Sequence, residues 1–321
     1  MKGNIALVEG ESPKNNKNKS LKKTLYKQRY LILMILPFII WVIVFKYIPL
    51  WGWSIAFQDY KPKPGLSMFD YPFVGLKHFI NLFKDPMFYQ VMRNTLAMSF
   101  MQLIFGFPLP IIFAILLNEL KGIRFKKLVQ TVSYLPHFVS WVIVAGLFTT
   151  MLSNDGIVNE ILLKLNLIDS PISFFAIPKY FWGICTSSEI WKELGWNSII
   201  FLAAIAGISP DLYEAARVDG ANRWKSIWHI TLPGIRDTIL VILVLNIGWI
   251  ISIGFEKQYL MGNSLVQDYS KVLDLYVLEY GIRLGRYSFG TAIGIFKSVV
   301  SIVLLVSANK LSKAINGKAV I

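Results

Sequence analysis

From Asn94 to Asn118, and again from Leu128 to Asn154, the chain carries no Asp, Glu, Lys or Arg. A helix needs about 20 mostly apolar residues to cross the hydrocarbon core of a bilayer, and both runs exceed that length. Four more runs meet or approach the same standard. They are Tyr30–Trp53, broken only by Lys46; Cys185–Ile208, with Glu189, Lys192 and Glu193 near one end; Thr238–Phe255; and Tyr287–Asn309, which contains Lys297. Pro37, Pro108, Pro110 and Pro136 fall inside runs, which membrane helices tolerate where neighbours re-satisfy the freed backbone. The expected fold is all-α, an integral membrane protein with six transmembrane helices.

Composition agrees. Of 321 residues, 55% are hydrophobic and 16% charged, against about 45–50% apolar and about 25% charged in soluble domains. Such a chain has too little polar surface to cover itself in water. A disordered, collagen-like or disulfide-framework chain is excluded by the low charge, the aperiodic Gly and Pro, and the single Cys185. The net charge of +14 would suit nucleic acid, but its distribution points elsewhere. With six spans and the N-terminus inside, 19 Lys and Arg fall on the inner side and 11 on the outer. The positive-inside rule then places both termini in the cytoplasm and removes nucleic acid as a partner.

Three regions follow. Residues 1–29 form a basic, Asn- and Lys-rich arm, expected to be a flexible cytoplasmic tail; no small-residue cleavage site follows an apolar run. Residues 30–310 form the six-span domain, and residues 311–321 a cytoplasmic tail. The segment Trp53–Arg93 is rich in aromatics, among them Phe57, Tyr60, Phe69, Tyr71, Phe73, Phe79, Phe83, Phe88 and Tyr89. It reads as an interfacial belt or as a rim that docks a partner or lines an entry.

Between the fourth and fifth runs, Ser209 is a natural N-cap and Pro210 suits a first helical position. A short helix would run to Asp219 and stop at Gly220, which can take the left-handed conformation. A second would start near Asn222, with Trp224, Ile227 and Trp228 on one face, and end or kink at Pro233. Within this stretch Glu214, Ala215, Ala216, Gly220, Ile230, Leu232 and Pro233 resemble, at every fixed position, the EAA loop of ABC importer permeases, EAA-x3-G-x9-I-x-L-P. Seven specified residues at fixed spacing arise by chance at roughly 10⁻⁸ per start position. Residues 218–224, residues 73–76, Phe79, Asp85, Pro86 and residues 94–96 further resemble the carbohydrate-uptake branch, which is maltose-permease-like and binding-protein-dependent. Residues 134–138 and 190–196 resemble permeases for complex oligosaccharides derived from polysaccharides. The resemblance covers Leu31 to Lys310.

The resemblance implies an ABC type I importer permease fold in the bacterial cell membrane, moving oligosaccharides larger than a disaccharide by alternating access. Its implied partners are a second homologous permease subunit, two ATP-binding subunits, an extracytoplasmic sugar-binding protein and membrane lipid. Within the loop 209–233, Glu214, Ala215, Ala216, Asp219, Gly220, Ile230, Leu232 and Pro233 would couple to the ATPase. ATP and Mg would sit on those partner subunits, and no cofactor on this chain.

No catalytic or metal-binding residue is assigned. G-x-x-x-x-G-K-[ST], His-Glu-x-x-His and Gly-x-Ser-x-Gly are absent, and His78, His137 and His229 are scattered. His137 reads as a hydrogen-bonded structural residue. Polar and aromatic residues inside spans mark a substrate pathway, because lipid-facing positions disfavour them. Trp191, Trp196, Asn197, Asn246 and Trp249 are such candidates, equally compatible with helix packing or interface anchoring. Lys297 either pairs with a carboxylate, Glu256 being the obvious one, or lines the pathway. Gly290 and Gly294 suit close helix approach. An alternative reading is an integral-membrane glycosyl or acyl transferase acting on lipid-linked sugar, which would work as a single purified chain; an exporter would need no binding protein.

Overall fold

The computed structural model describes residues 26–68 and 70–316. Most of the basic arm, Phe69 and the end of the tail lie outside the described residues. Regular structure among the described residues is helical throughout, with one isolated antiparallel bridge between Gln58 and Phe73. The chain divides into two compact units, Met1–Ser54 and Ile55–Ile321.

The first unit contains the helix Arg29–Val42 and a π turn, Ile43–Tyr47, neither with a buried residue. A helix that is apolar all round and uncovered belongs in lipid or against another protein. It forms part of the apolar helical run Arg29–Phe57, one of three among the described residues long enough to cross a membrane; the others are Pro86–Glu119 and Tyr287–Ala314. Three bent pairs pass the same test together. These are Ile123–Phe138 with Trp141–Met151 (104°), Pro178–Ala206 with Pro210–Val218 (69°), and Arg223–Gly234 with Arg236–Trp249 (59°).

The breaks have local causes. Leu128–Asn154 was expected as one span; it folds back instead, because Pro136 sits in a 3-10 turn and Ser140 caps a new helix by accepting from the Ile143 N–H at 3.4 Å. Three of the four π turns among the described residues, Ile43–Tyr47, Gln102–Gly106 and Ile227–Thr231, end two residues before a proline. A proline has no N–H to donate and its ring clashes with the carbonyl four residues back. One wide turn ahead of it relieves both, as at Pro108, where the Phe107 N–H reaches back to Gln102 O at 2.9 Å.

In the second unit, Pro108–Glu119 packs along Phe181–Ala206, and Arg236–Trp249 packs along the last helix. Ile111, Ala114, Ile115, Phe201, Ile205 and Ile235 form a core near the end that carries the 209–233 loop. Two other cores, around Cys185 and around Tyr276, clasp the segment between Trp249 and Tyr287. That segment is not a simple outer loop. The helix Arg236–Trp249 stops six residues short of Phe255, the expected end of the fifth apolar run. The chain then returns as short helices, Glu256–Met261, Gln267–Ser270 and Leu273–Tyr276. Asn94 fixes it by donating to Asp268 O at 2.9 Å and Lys271 O at 2.8 Å, and Thr95 Oγ1 accepts from the Leu273 N–H at 2.9 Å.

Glycine contacts correct one expectation. A Cβ on Gly290 would lie 2.9 Å from the Cα of Gly281, so those two backbones touch, whereas Gly294 faces open space. The aromatics of 53–93 pack largely on one another: Tyr60 against Tyr71 at 4.7 Å between centroids, Phe57 against Phe79 at 5.5 Å, and Phe83 and Phe88 against Phe296.

Candidate functional site: a two-armed loop and a cavity

The loop 209–233 is a rigid two-armed turn. Ser209 Oγ accepts from the Asp211 N–H at 3.3 Å and starts the helix Pro210–Val218. The helix closes with Ala221 N–H on Ala216 O (2.8 Å) and Gly220 N–H on Arg217 O (3.1 Å). This is the paired 6→1 and 5→2 closure that needs a left-handed residue. Gly220 supplies it at φ +75°, with nothing within 4 Å of where a Cβ would stand. Asn222 Oδ1 then caps the second arm through the Lys225 N–H at 2.9 Å. The Tyr213 hydroxyl meets Thr231 Oγ1 at 3.0 Å and ties the arms together.

The arms differ in burial. Ile227 and Leu232 pack on the core of Ile205 and Ile235, and Ile230 is half-buried. Glu214, Ala215, Asp219 and Gly220 are exposed, as are Leu212, Val218, Trp224 and Trp228. Of the apolar face expected in the second arm, only Ile227 is covered. An anchored base with an exposed small-residue tip and an apolar rim is a surface built to sit against another protein.

Away from the loop, a cavity of about 740 Å³ opens between Met98–Pro110, Cys185–Ala203 and Ile242–Lys257. Its size is in the range of small-molecule sites. Trp196, Asn197, Asn246 and Trp249 all line it. Trp191 and Lys297 do not. Trp191 packs edge-on against Phe148 at 6.0 Å, and the Lys297 ammonium donates to Asp274 Oδ1, so Asp274 and not Glu256 is its partner. Asn246 donates to Ile242 O at 2.9 Å and thereby fixes its amide along the wall. The Trp196 ring lies parallel to His137 at 4.2 Å. His137 Nδ1 meets Glu193 Oε2 at 2.7 Å, and Lys192 Nζ donates to His137 O at 2.5 Å. His137 is thus a hydrogen-bonded support for the cavity wall.

Sequence reasoning missed six polar lining residues: Ser99, Gln102, Thr186, Glu189, Ser252 and Lys257. Glu189 carried a signal, a charge inside an apolar run. Lys257 had none, because the fold of residues 250–257 is what brings it to the cavity.

Residues 87–317 match the family model described as binding-protein-dependent transport system inner membrane component. The chain belongs to this family. The permease is 44% identical to the polygalacturonan/rhamnogalacturonan transport system permease protein YteP of Bacillus subtilis (strain 168), over 94% of this chain and 92% of that one. It is 30% identical to the arabinooligosaccharides transport system permease protein AraP of the same organism, over 88% of each. Among solved structures it resembles a chain of a bacterial ABC transporter that imports the acidic polysaccharide alginate, with TM-score 0.84, 41% identity, and 92% and 99% of the two chains covered. The same likeness holds for that transporter in complex with its alginate pentasaccharide-bound periplasmic protein. The permease is therefore a multi-pass membrane subunit of an ABC importer, not an enzyme. The transferase alternative finds no support among these relatives.

Proposed function

We propose that the permease carries oligosaccharides into a bacterial cell as one half of a heterodimeric pathway, and that its natural cargo is acidic. Six spans cross the cytoplasmic membrane, with both termini and the loop 209–233 inside. The loop docks in a cleft of an ATP-binding subunit through Glu214, Ala215, Ala216, Asp219 and Gly220, while Ile230, Leu232 and Pro233 pass the motion to the bundle. ATP and Mg bind those subunits. An extracytoplasmic sugar-binding protein delivers the cargo, and Trp196, Asn197, Asn246 and Trp249 offer stacking faces and amides to it as it passes. Trp191 and Lys297, off the cavity wall, serve the pathway only by supporting its frame.

The observation that carries this reading is the pairing, in one chain, of a glycine-closed loop with an exposed tip and a largely apolar cavity that presents amides, a paired charge and tryptophan rings. Its test is reconstitution. The four-subunit complex in liposomes, with binding protein outside, should accumulate labelled oligogalacturonate only when ATP is supplied on the loop side. Uptake without ATP, or none with all parts present, would remove the reading. Maleimide labelling checks orientation against the buried Cys185 background: Ala221→Cys should react only after permeabilisation, Leu167→Cys in intact cells.

A further inference from the structure

Two charged residues line the cavity among the described residues, Glu189 and Lys257, and they are paired with each other. They come from different elements. Glu189 lies in the first half of Phe181–Ala206, and Lys257 in the short returning helix Glu256–Met261. The Lys257 side chain is 7% exposed and the Glu189 side chain 25%. Their neighbours show what a purely structural pair looks like here. Lys192, on the same helix as Glu189, is held by both His137 O and Glu193 Oε1 and lies off the cavity wall. Lys257 has Glu189 and, at 5.9 Å, the face of Trp141.

An ammonium has three donors, and removing two charges from water costs several kcal/mol per ion, which apolar packing would avoid. Kept at a cavity wall, such a pair has a specific consequence. Its net charge is zero, so a neutral sugar meets no strong field. A carboxylate in the cavity competes with Glu189 for the same ammonium, and the charge-assisted bonds it forms are about twice as strong as a hydroxyl's. Glu189 is the more exposed partner and has room to turn into the cavity.

We propose that Lys257 is the residue that selects carboxylate-bearing sugars in this permease, with Glu189 as the counter-ion it releases when such a sugar arrives. Gln102, whose buried Oε1 has no partner, together with Asn197, Asn246 and Trp196, provides the hydroxyl and ring contacts common to acidic and neutral sugars. The inference rests on the importer reading above.

The test uses the reconstituted complex and two probes of equal length, trigalacturonate and its fully methyl-esterified form, which has no charge. Each variant is scored by its ratio of acid to ester uptake relative to wild type, so that differences in delivery by the binding protein cancel. Lys257→Met with Glu189→Gln should lower that ratio about ten-fold, the loss of one charge-assisted hydrogen bond. Lys257→Arg should keep it, and Glu189→Gln alone should raise it by freeing the ammonium. If the double variant fails to assemble, the charge-keeping Lys257→Arg decides: a collapsed ratio with assembly intact overturns the proposal, as does an unchanged ratio in assembled Glu189→Gln. Equal loss of acid and ester in every variant also overturns it and leaves the pair structural. Absence of ATP-driven uptake of either probe by wild type would instead remove the importer reading itself.

Discussion

Lys297 in the last helix is bound to Asp274, 23 residues earlier, and the other oxygen of that carboxylate accepts the backbone N–H of Gly254 at 3.0 Å. One acidic side chain therefore joins the last helix to the left-handed bend, Gly254 at φ +75°, just beyond the helix Arg236–Trp249. The two side chains are 16% and 18% exposed. This pair closes the bundle around the returning segment.

Breaking the pair from one side should be costly. Asp274→Asn leaves a buried ammonium without its anion, a loss of about 3–5 kcal/mol, whereas replacing both ends by apolar residues is often near neutral. Thermal unfolding of the purified complex should show Asp274→Asn well below wild type, and Lys297→Met with Asp274→Leu close to it. Equal destabilisation by the single and double changes would contradict the assignment.

Gly220→Val should spare insertion and impair coupling. No atom stands in the way of a side chain there, so the penalty is conformational, about 1–2 kcal/mol for a left-handed residue with a Cβ and more for a β-branched one. The two-armed turn would open while its base at Leu232 stays packed. Expression should match wild type, while co-purification of the ATPase subunit and uptake both fall.

Gly195→Ala should act on the fold. A Cβ at this position would stand 2.1 Å from Ser133 O, a backbone atom of the neighbouring Ile123–Tyr134 helix. The two helices must separate, and overpacking of this kind costs about 1–3 kcal/mol. His137 and Trp196 sit just beyond the contact, so the stacked pair should loosen as well. A lower midpoint of unfolding, with altered Trp fluorescence, is the expected result.

Tyr276 donates to Asp85 Oδ2, and burial, with that carboxylate beside it, pushes the phenol above its ordinary pKa of 10.0. Because the native value is raised, the stabilisation is complete below pH 10 and is lost only as the pH climbs through the native value. Ultraviolet titration should show no difference in phenolate absorbance between wild type and Tyr276→Phe up to about pH 11, where an ordinary tyrosine is mostly ionised. The variant should lose about 1.5–3 kcal/mol, as for a hydrogen bond to a charged group.

Apolar run length and the residues of the 209–233 loop carried most of what could be read from the chain alone. Those signals are local. A helix of about 20 apolar residues is demanded by bilayer thickness, and a cap, a left-handed glycine and a proline act on their own turn of backbone. Ser209, Gly220 and Asn222 accordingly stand where the sequence placed them. The candidates Trp196, Asn197, Asn246 and Trp249 line one cavity, the first two on Phe181–Ala206 and the last two on Arg236–Trp249, both within apolar runs of the sequence.

Tertiary structure decided the partners. Lys297 takes Asp274 and not Glu256, Gly290 meets Gly281 while a side chain at Gly294 would face open space, and Glu189 finds Lys257 across a bend that hydropathy counted as the end of the fifth run. Each of these pairings depends on the path of residues 250–286, which no periodic pattern describes. Their short helices are held by side chains such as Asn94 and Thr95 on another helix, well over a hundred residues earlier. A backbone conformation stabilised from outside its own segment leaves little trace in that segment's composition, because the energy that selects it comes from long-range contacts.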